Sequence, residues 1–171
     1  MVDLPFYINQ FQTNVQTIQN TLSNLPNTQI NWKPTPEKWS LLEVVCHLRD
    51  EEKEDFRARL QSVLENHLKE FSSIDPIKWV VNRNYSLSNF QEVLKAFVNE
   101  RNNSIQYLQS LKNPRWENSY LHPKIGPMSA KFILTNWLAH DYLHIKQITK
   151  LKYDYLKEFS KEILSYAGDW N

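Results

Sequence analysis

His140 and His144, in the stretch NWLAHDYLHIKQI, stand four residues apart where the apolar positions repeat with helical spacing. Residues at i and i+4 of a helix project from one face, with Cβ atoms about 5–6 Å apart. Two imidazoles so placed can share one metal ion, and a third from another helix would complete a facial set with open coordination positions. His47, in EVVCHLRDEE, is the third histidine that frames the chain. On spacing alone the bland alternative stays open: two neutral core imidazoles, each satisfied by local hydrogen bonds. Placing two imidazoles in an apolar stripe is costly unless each nitrogen finds a partner, and a shared ion supplies one to both.

Four apolar stripes must position these residues. The first runs Ile8, Phe11, Val15, Ile18, Leu22. Pro26 and NTQINWKPTPEK then break the pattern. Ser40, with Glu43 three residues on, has the form of a capping box. It opens a helix expected to reach about His67, with Leu41, Val44, Val45, Leu48, Phe56, Leu60 and Val63 on its apolar side. Phe71 to Ser86 contains Asp75-Pro76 and the patch Trp79-Val80-Val81, and reads as a loop with extended character. Ser88 with Gln91 offers a second capping box. The third helix follows with Leu94, Phe97, Val98, Ile105 and Leu108, and a proline-containing loop from Asn113 to Pro127 leads to the fourth near Ser129. Its stripe is Ile133, Trp137, His140, His144, Ile148, Leu151.

Four long amphipathic helices without convincing strand pairing predict an all-α four-helix bundle. Two connections of about fifteen residues exceed the usual span between bundle helices, so some neighbours are expected to run parallel. Tyr155 to Tyr166 could add a short C-terminal helix ending at Gly168, with Trp170 packed back on the bundle.

At 171 residues the chain reads as one domain spanning 1–171, long enough to bury a core without staples. Hydrophobic content of 41% and charged content of 23% are ordinary for a globular protein. Twenty basic and 19 acidic residues leave a net charge of +1, which excludes a general nucleic-acid binder. The single Cys46 excludes an internal disulfide and fits a reducing compartment. The N-terminus shows no secretory pattern and no apolar run approaches the roughly 18 residues of a membrane span, so a cytoplasmic location is expected. Two glycines exclude glycine-rich phosphate loops and dinucleotide fingerprints.

NWKPTPEKWSLLEVVCHLRDEE resembles a signature of the DinB/YfiT-like superfamily of metal-binding helical bundles, a family distinct from the DNA polymerase that shares part of its name. Trp32, Pro34, Trp39, Ser40, Glu43, His47, Asp50 and Glu51 or Glu52 match in order. The second signature, Trp-x-x-His-Asp-x-x-His-x-x-Gln, matches Trp137, His140, Asp141, His144 and Gln147. The resemblance covers nearly the whole chain. It implies an up-down-down-up bundle whose second and fourth helices converge on one divalent metal, held by His47, His140 and His144. Zinc and nickel both suit three imidazoles. It also implies thiol-dependent transferase, isomerase or metal-dependent hydrolase chemistry, with a possible low-molecular-weight thiol cofactor and a possible homodimer.

Three neutral ligands leave the ion's charge intact and a position open for an acidified water or a thiolate. Asp50 and Glu51, one turn beyond His47, are candidates to orient a ligand or act as general base, with surface carboxylates as the alternative. Asp50, Glu51 and Glu54 make the histidine face of the second helix acidic, which a buried cation or a solvated surface would explain equally. Asp141 points about 100° from His140, which favours structural pairing elsewhere. Gln147 can hydrogen-bond substrate or simply pack. Arg101 interrupts the third stripe and calls for Glu51 or Glu54 as partner, or else recognises an anion. Cys46 sits off the His47 face. His67 and His122, near a helix end and in a loop, read as surface residues. Trp39 and Trp137 flank the histidine segments and either wall a pocket or anchor the core.

The sequence therefore predicts a metal-dependent enzyme acting on a small molecule, without nucleic-acid or membrane partners. A non-catalytic bundle with a structural or sensing metal is the alternative.

Overall fold

The computed structural model describes residues 2–65, 71, 73–168 and 170. Helix α1 (Leu4–Thr21) starts where the Asp3 carboxylate accepts from the Phe6 amide at 3.1 Å and Pro5 occupies the first turn. A single turn, α2 (Asn27–Asn31), interrupts the loop that follows. Ser40 opens α3 (Leu41–Glu51) with both halves of its capping box: its hydroxyl accepts from the Glu43 amide at 3.3 Å, and its amide donates to the Glu43 carboxylate at 2.9 Å. The same rod passes through a π-helical stretch, Glu52–Arg57, into α4 (Ala58–Leu64). Its expected end near His67, and that histidine's expected surface position, lie outside the described residues.

Three elements differ from the sequence expectation. The segment expected to be extended contains α5 (Pro76–Asn82). Asp75 accepts from the Lys78 amide at 3.1 Å and Pro76 opens the first turn, a start signal that outweighs the β-branched pair Val80-Val81. The bundle is not purely helical: β1 (Ser119–His122) and β2 (Gly126–Ser129) pair antiparallel, with Tyr120 opposite Met128. Gly126, at φ +87°, begins the returning strand. Finally, no separate C-terminal helix begins at Tyr155. α7 runs unbroken from Ala130 to Ser160 and stops at Lys161 in the left-handed region, and Ser165–Ala167 forms only a 3₁₀ turn. Trp170 does pack back, its ring 5.0 Å from that of Tyr153.

Helix α6 (Phe90–Ser110) is capped one residue later than expected: Asn89, not Ser88, accepts from the Glu92 amide. The core divides into two clusters that fix the sense of the helices. One joins Val15–Leu22 of α1, Leu41–Leu48 of α3, Phe90–Phe97 of α6 and Ile148–Leu151 of α7. The other joins Phe11, Leu60–Val63, Ile105–Leu108 and Ile133–Leu138. The late part of α1 thus meets the late part of α7, and the early part of the Leu41–Leu64 rod meets the early part of α6. α1 and α7 run one way, and the rod and α6 run the other. The hairpin fastens the start of α7 to the end of α4: Asn118 accepts from the Ala130 amide at 2.9 Å and donates its side-chain amide to the Val63 carbonyl at 3.3 Å. Among the described residues no helix is long and apolar enough to cross a membrane.

Candidate metal centre

The opposed sense of α3 and α7 brings His47 across from His140 and His144. The three Nε2 atoms form a nearly equilateral triangle with edges of 3.2 Å (His47–His140), 3.1 Å (His47–His144) and 3.0 Å (His140–His144). Two nitrogens bonded to one ion at about 2.05 Å stand roughly 2.9 Å apart at a right angle and roughly 3.35 Å apart at the tetrahedral angle. The observed edges fall between those limits. Among the described residues these three can hold a metal ion.

Protonation agrees with that geometry. Gln147 Oε1 lies 2.8 Å from His144 Nδ1 and can only accept, so the His144 proton is on Nδ1 and its Nε2 turns a lone pair inward. Burial disfavours the imidazolium at all three sites. It holds His47 down to about 3, with His144 adding to the effect and Asp50 opposing it. Burial, then the two neighbouring imidazoles and Arg101, hold His140 down to about 2. His144 is lowered by burial, against the pull of its Gln147 bond. Neutral imidazole is the form that ligates. Trp39 packs on His47 with ring centroids 4.8 Å apart, and Phe56 packs on His140 at 5.0 Å, so aromatic faces wall the triad on two sides.

The neighbouring acidic residues are buried rather than a solvated face: Asp50, Glu51 and Glu52 are 5%, 5% and 1% exposed. Asp50 accepts from Arg49 Nε at 2.6 Å, Arg83 Nη1 at 2.7 Å and the Tyr85 hydroxyl at 2.7 Å. These bonds hold its carboxyl below the ordinary value against the opposing effect of burial, so it is not a free general base. Glu54 turns outward to a bidentate pair with Arg83. Glu51 bonds to Asp55 rather than to a ligand imidazole, and burial with that acidic neighbour raises it to about 8. Asp55 in turn pairs with Arg59.

Arg101 is not available for anion recognition and pairs with neither Glu51 nor Glu54. It is 1% exposed and lies between Glu52 (Nε–Oε1 2.8 Å, Nη2–Oε2 2.7 Å) and Asp141 (Nη1–Oδ2 2.6 Å, Nη2–Oδ1 2.7 Å). Asn14 completes Asp141 at 3.1 Å, and the Trp137 indole N–H donates to Glu52 at 2.9 Å. Trp137 is fully buried, a core residue and not a pocket wall. Gln147, half-buried, is engaged with His144 through its Oε1. Cys46 is buried in the first core cluster, and burial pushes its thiol up. His122 ends β1 half-buried, its Nδ1 accepting from the Lys124 and Ile125 amides at 3.2 Å each, instead of lying in an open loop.

Sequence reasoning missed Glu52 as the partner of Arg101, and missed Asn14, Arg83 and Tyr85 altogether. The fully buried Tyr85 gave no periodic signal because it stands in a 3₁₀ turn. Asn14 sits among the apolar residues of α1, and that polar intrusion was the available clue.

Comparison with known proteins agrees with the fold. No curated protein matches the chain significantly. Among solved structures, YfiT from Bacillus subtilis, described as a probable metal-dependent hydrolase with an unusual four-helix bundle topology, superposes with a TM-score of 0.79. The match covers 90% of this chain and 89% of YfiT at 15% sequence identity, a likeness of fold. A family model matches residues 10–148, from the middle of α1 through both histidine segments, and the chain belongs to the DinB superfamily.

Proposed function

We propose that this protein is a metal-dependent enzyme that holds one divalent ion on the Nε2 atoms of His47, His140 and His144 and acts on a small molecule by hydrolysis or thiol-dependent transfer. The observation that carries the reading is the convergence of three neutral imidazole nitrogens within 3.2 Å of one another. When bound, the ion supplies a Lewis acid with positions left open for a water, a substrate oxygen or a thiol. The chain's own residues do the rest. Gln147 fixes the His144 ring by its Nδ1 bond, and Trp39 and Phe56 exclude water from the ligand rings. Of the two carboxyl candidates for proton transfer, Glu51 is the better supported, since its proton is held near neutral pH whereas Asp50 is engaged by two arginines and a tyrosine. Zinc and nickel are both consistent with an all-imidazole donor set.

Elemental analysis of the purified protein is expected to give about one equivalent of divalent metal per chain. The His140→Ala/His144→Ala variant is expected to give none, and equal metal in both refutes the reading. A metal that serves only stability or sensing is the second reading, favoured by the engagement of Asp50. Chelation that lowers the melting temperature, with metal-restored protein inert toward ester and thiol-acceptor panels, would establish it.

A further inference from the structure

We infer that Glu52 and Asp141 are the counter-charge of the metal site: around Arg101 they form a buried ionic cluster of net charge −1, and a cation on the adjacent histidines balances it. The inference rests on the metal reading above and concerns residues that do not touch the ion.

Every contact to the two carboxylates comes from an N–H donor. Glu52 accepts from Arg101 Nε and Nη2 and from Trp137 Nε1; Asp141 accepts from Arg101 Nη1 and Nη2 and from Asn14 Nδ2. A protonated carboxyl would need an acceptor for its own hydrogen, and none of these six contacts offers one. Both groups are carboxylates, and one guanidinium stands between two negative charges. Glu52, Asp141 and Arg101 are 1%, 0% and 1% exposed, so water does little to screen the surplus. A buried charge without a partner is strongly unfavourable.

Several neighbouring acids have a base of their own. Asp50 and Glu54 face Arg49 and Arg83, one base for each acid. Glu43 has Lys33, Glu100 has Arg57, and Asp55 has Arg59. The unbalanced cluster is tied to the helix that carries two of the three histidines: Asp141 follows His140 directly, and Trp137 sits one turn before it. Phe56, in the same π-helical stretch as Glu52, packs on His140. The three imidazoles contribute no charge, so an ion there would keep its whole positive charge, on the helix that carries Asp141.

The test titrates wild type, Glu52→Gln and Asp141→Asn with Co²⁺ and with Cu⁺, each in competition with a chelator. Co²⁺ affinity is expected to fall about ten-fold in each variant, the scale of outer residues at metal sites. The Co²⁺ absorption spectrum is expected to stay that of wild type, and the fall for singly charged Cu⁺ to be smaller. Asn14→Ala removes a donor to Asp141 without changing charge and is expected to keep the wild-type affinity. Unchanged Co²⁺ affinity in both charge variants overturns the inference. So does an equal loss for both ions with an altered Co²⁺ spectrum, which is the mark of a distorted triad. Should one variant fail to fold, the other carries the test; failure of both with Co²⁺ present makes the cluster a structural tie and overturns the inference too. Wild type that takes up no Co²⁺ refutes the metal reading itself, whereas normal uptake by wild type and variants alike refutes only the counter-charge.

Discussion

Acidification of the metal-free protein gives the sharpest measure of how deeply the histidines are buried. In the unfolded chain an imidazole titrates near 6.5; in the folded chain His47 is held at about 3 and His140 at about 2. Below pH 6.5 the unfolded chain binds protons that the folded chain refuses. The stability these two groups contribute is therefore complete above pH 6.5 and is lost as the pH falls toward 3. From pH 6.5 to 5 each is worth about 1.6 kcal/mol, roughly 3 kcal/mol together, and His144 shifts in the same sense. Glu51 runs the other way. Its folded value, raised to about 8, lies above the unfolded one, so over the same interval it adds roughly 2 kcal/mol as the pH falls. The informative quantity is thus a difference between wild type and a His47→Gln/His140→Gln variant, both in excess chelator. Thermal melts followed by circular dichroism from pH 7.5 to 5 are expected to show the wild-type midpoint falling further than the variant's by roughly 6–12 °C. Parallel curves for the two proteins would refute the argument, because neutral buried imidazoles cannot be removed without flattening the acid limb.

Two further perturbations separate stability from metal holding. Arg101→Met leaves Glu52 and Asp141 facing each other without their cation, and should destabilise the apo-protein by about 3–5 kcal/mol in urea titrations; a loss below about 1 kcal/mol would mean the cluster is looser than its bond lengths indicate. Gln147→Leu removes the acceptor of His144 Nδ1 and is expected to weaken divalent-metal affinity about ten-fold while moving the apo melting temperature little. An unchanged affinity would show that the His144 ring is oriented by packing alone.

The histidine cluster was legible because it depends on local periodicity. Two histidines four apart on an apolar stripe share a face whatever the rest of the chain does, and the ordered tryptophan–serine–histidine motif placed the third on another core helix. The bundle was legible for the same reason, since Ile8–Leu22, Leu94–Leu108 and Ile133–Leu151 repeat over several turns. What escaped is short or non-local. The hairpin has four residues per strand, too few for alternation to emerge, and α5 was hidden behind Val80-Val81 although Asp75-Pro76 announced it. The ion pairs escaped because Asp50 reaches 33 residues to Arg83 and Glu52 reaches 49 to Arg101, distances no window of sequence covers. Small-to-local errors, such as Ser88 for Asn89, came from two good caps standing side by side.

The run Asp50-Glu51-Glu52 makes the point about charge more strongly. Consecutive residues of a helix point about 100° apart, so three of them leave the rod on three sides. Here each side meets a different partner: Asp50 meets Arg83 and Tyr85 beside α5, Glu51 meets Asp55 along its own rod, and Glu52 meets Arg101 and Trp137 from α6 and α7. The acidic run that would ordinarily mark a solvated face is here enclosed by three sets of partners, while Lys53 and Glu54, which follow it, are exposed. That enclosure has a consequence for the site. The rod that carries His47 is held at Asp50 by Arg83 and Tyr85 and at Glu52 by Arg101 of α6 and Trp137 of α7, and these ties involve no metal. Such preorganisation fits an ion held by neutral ligands alone, because none of the binding free energy need go to ordering the helices that carry them.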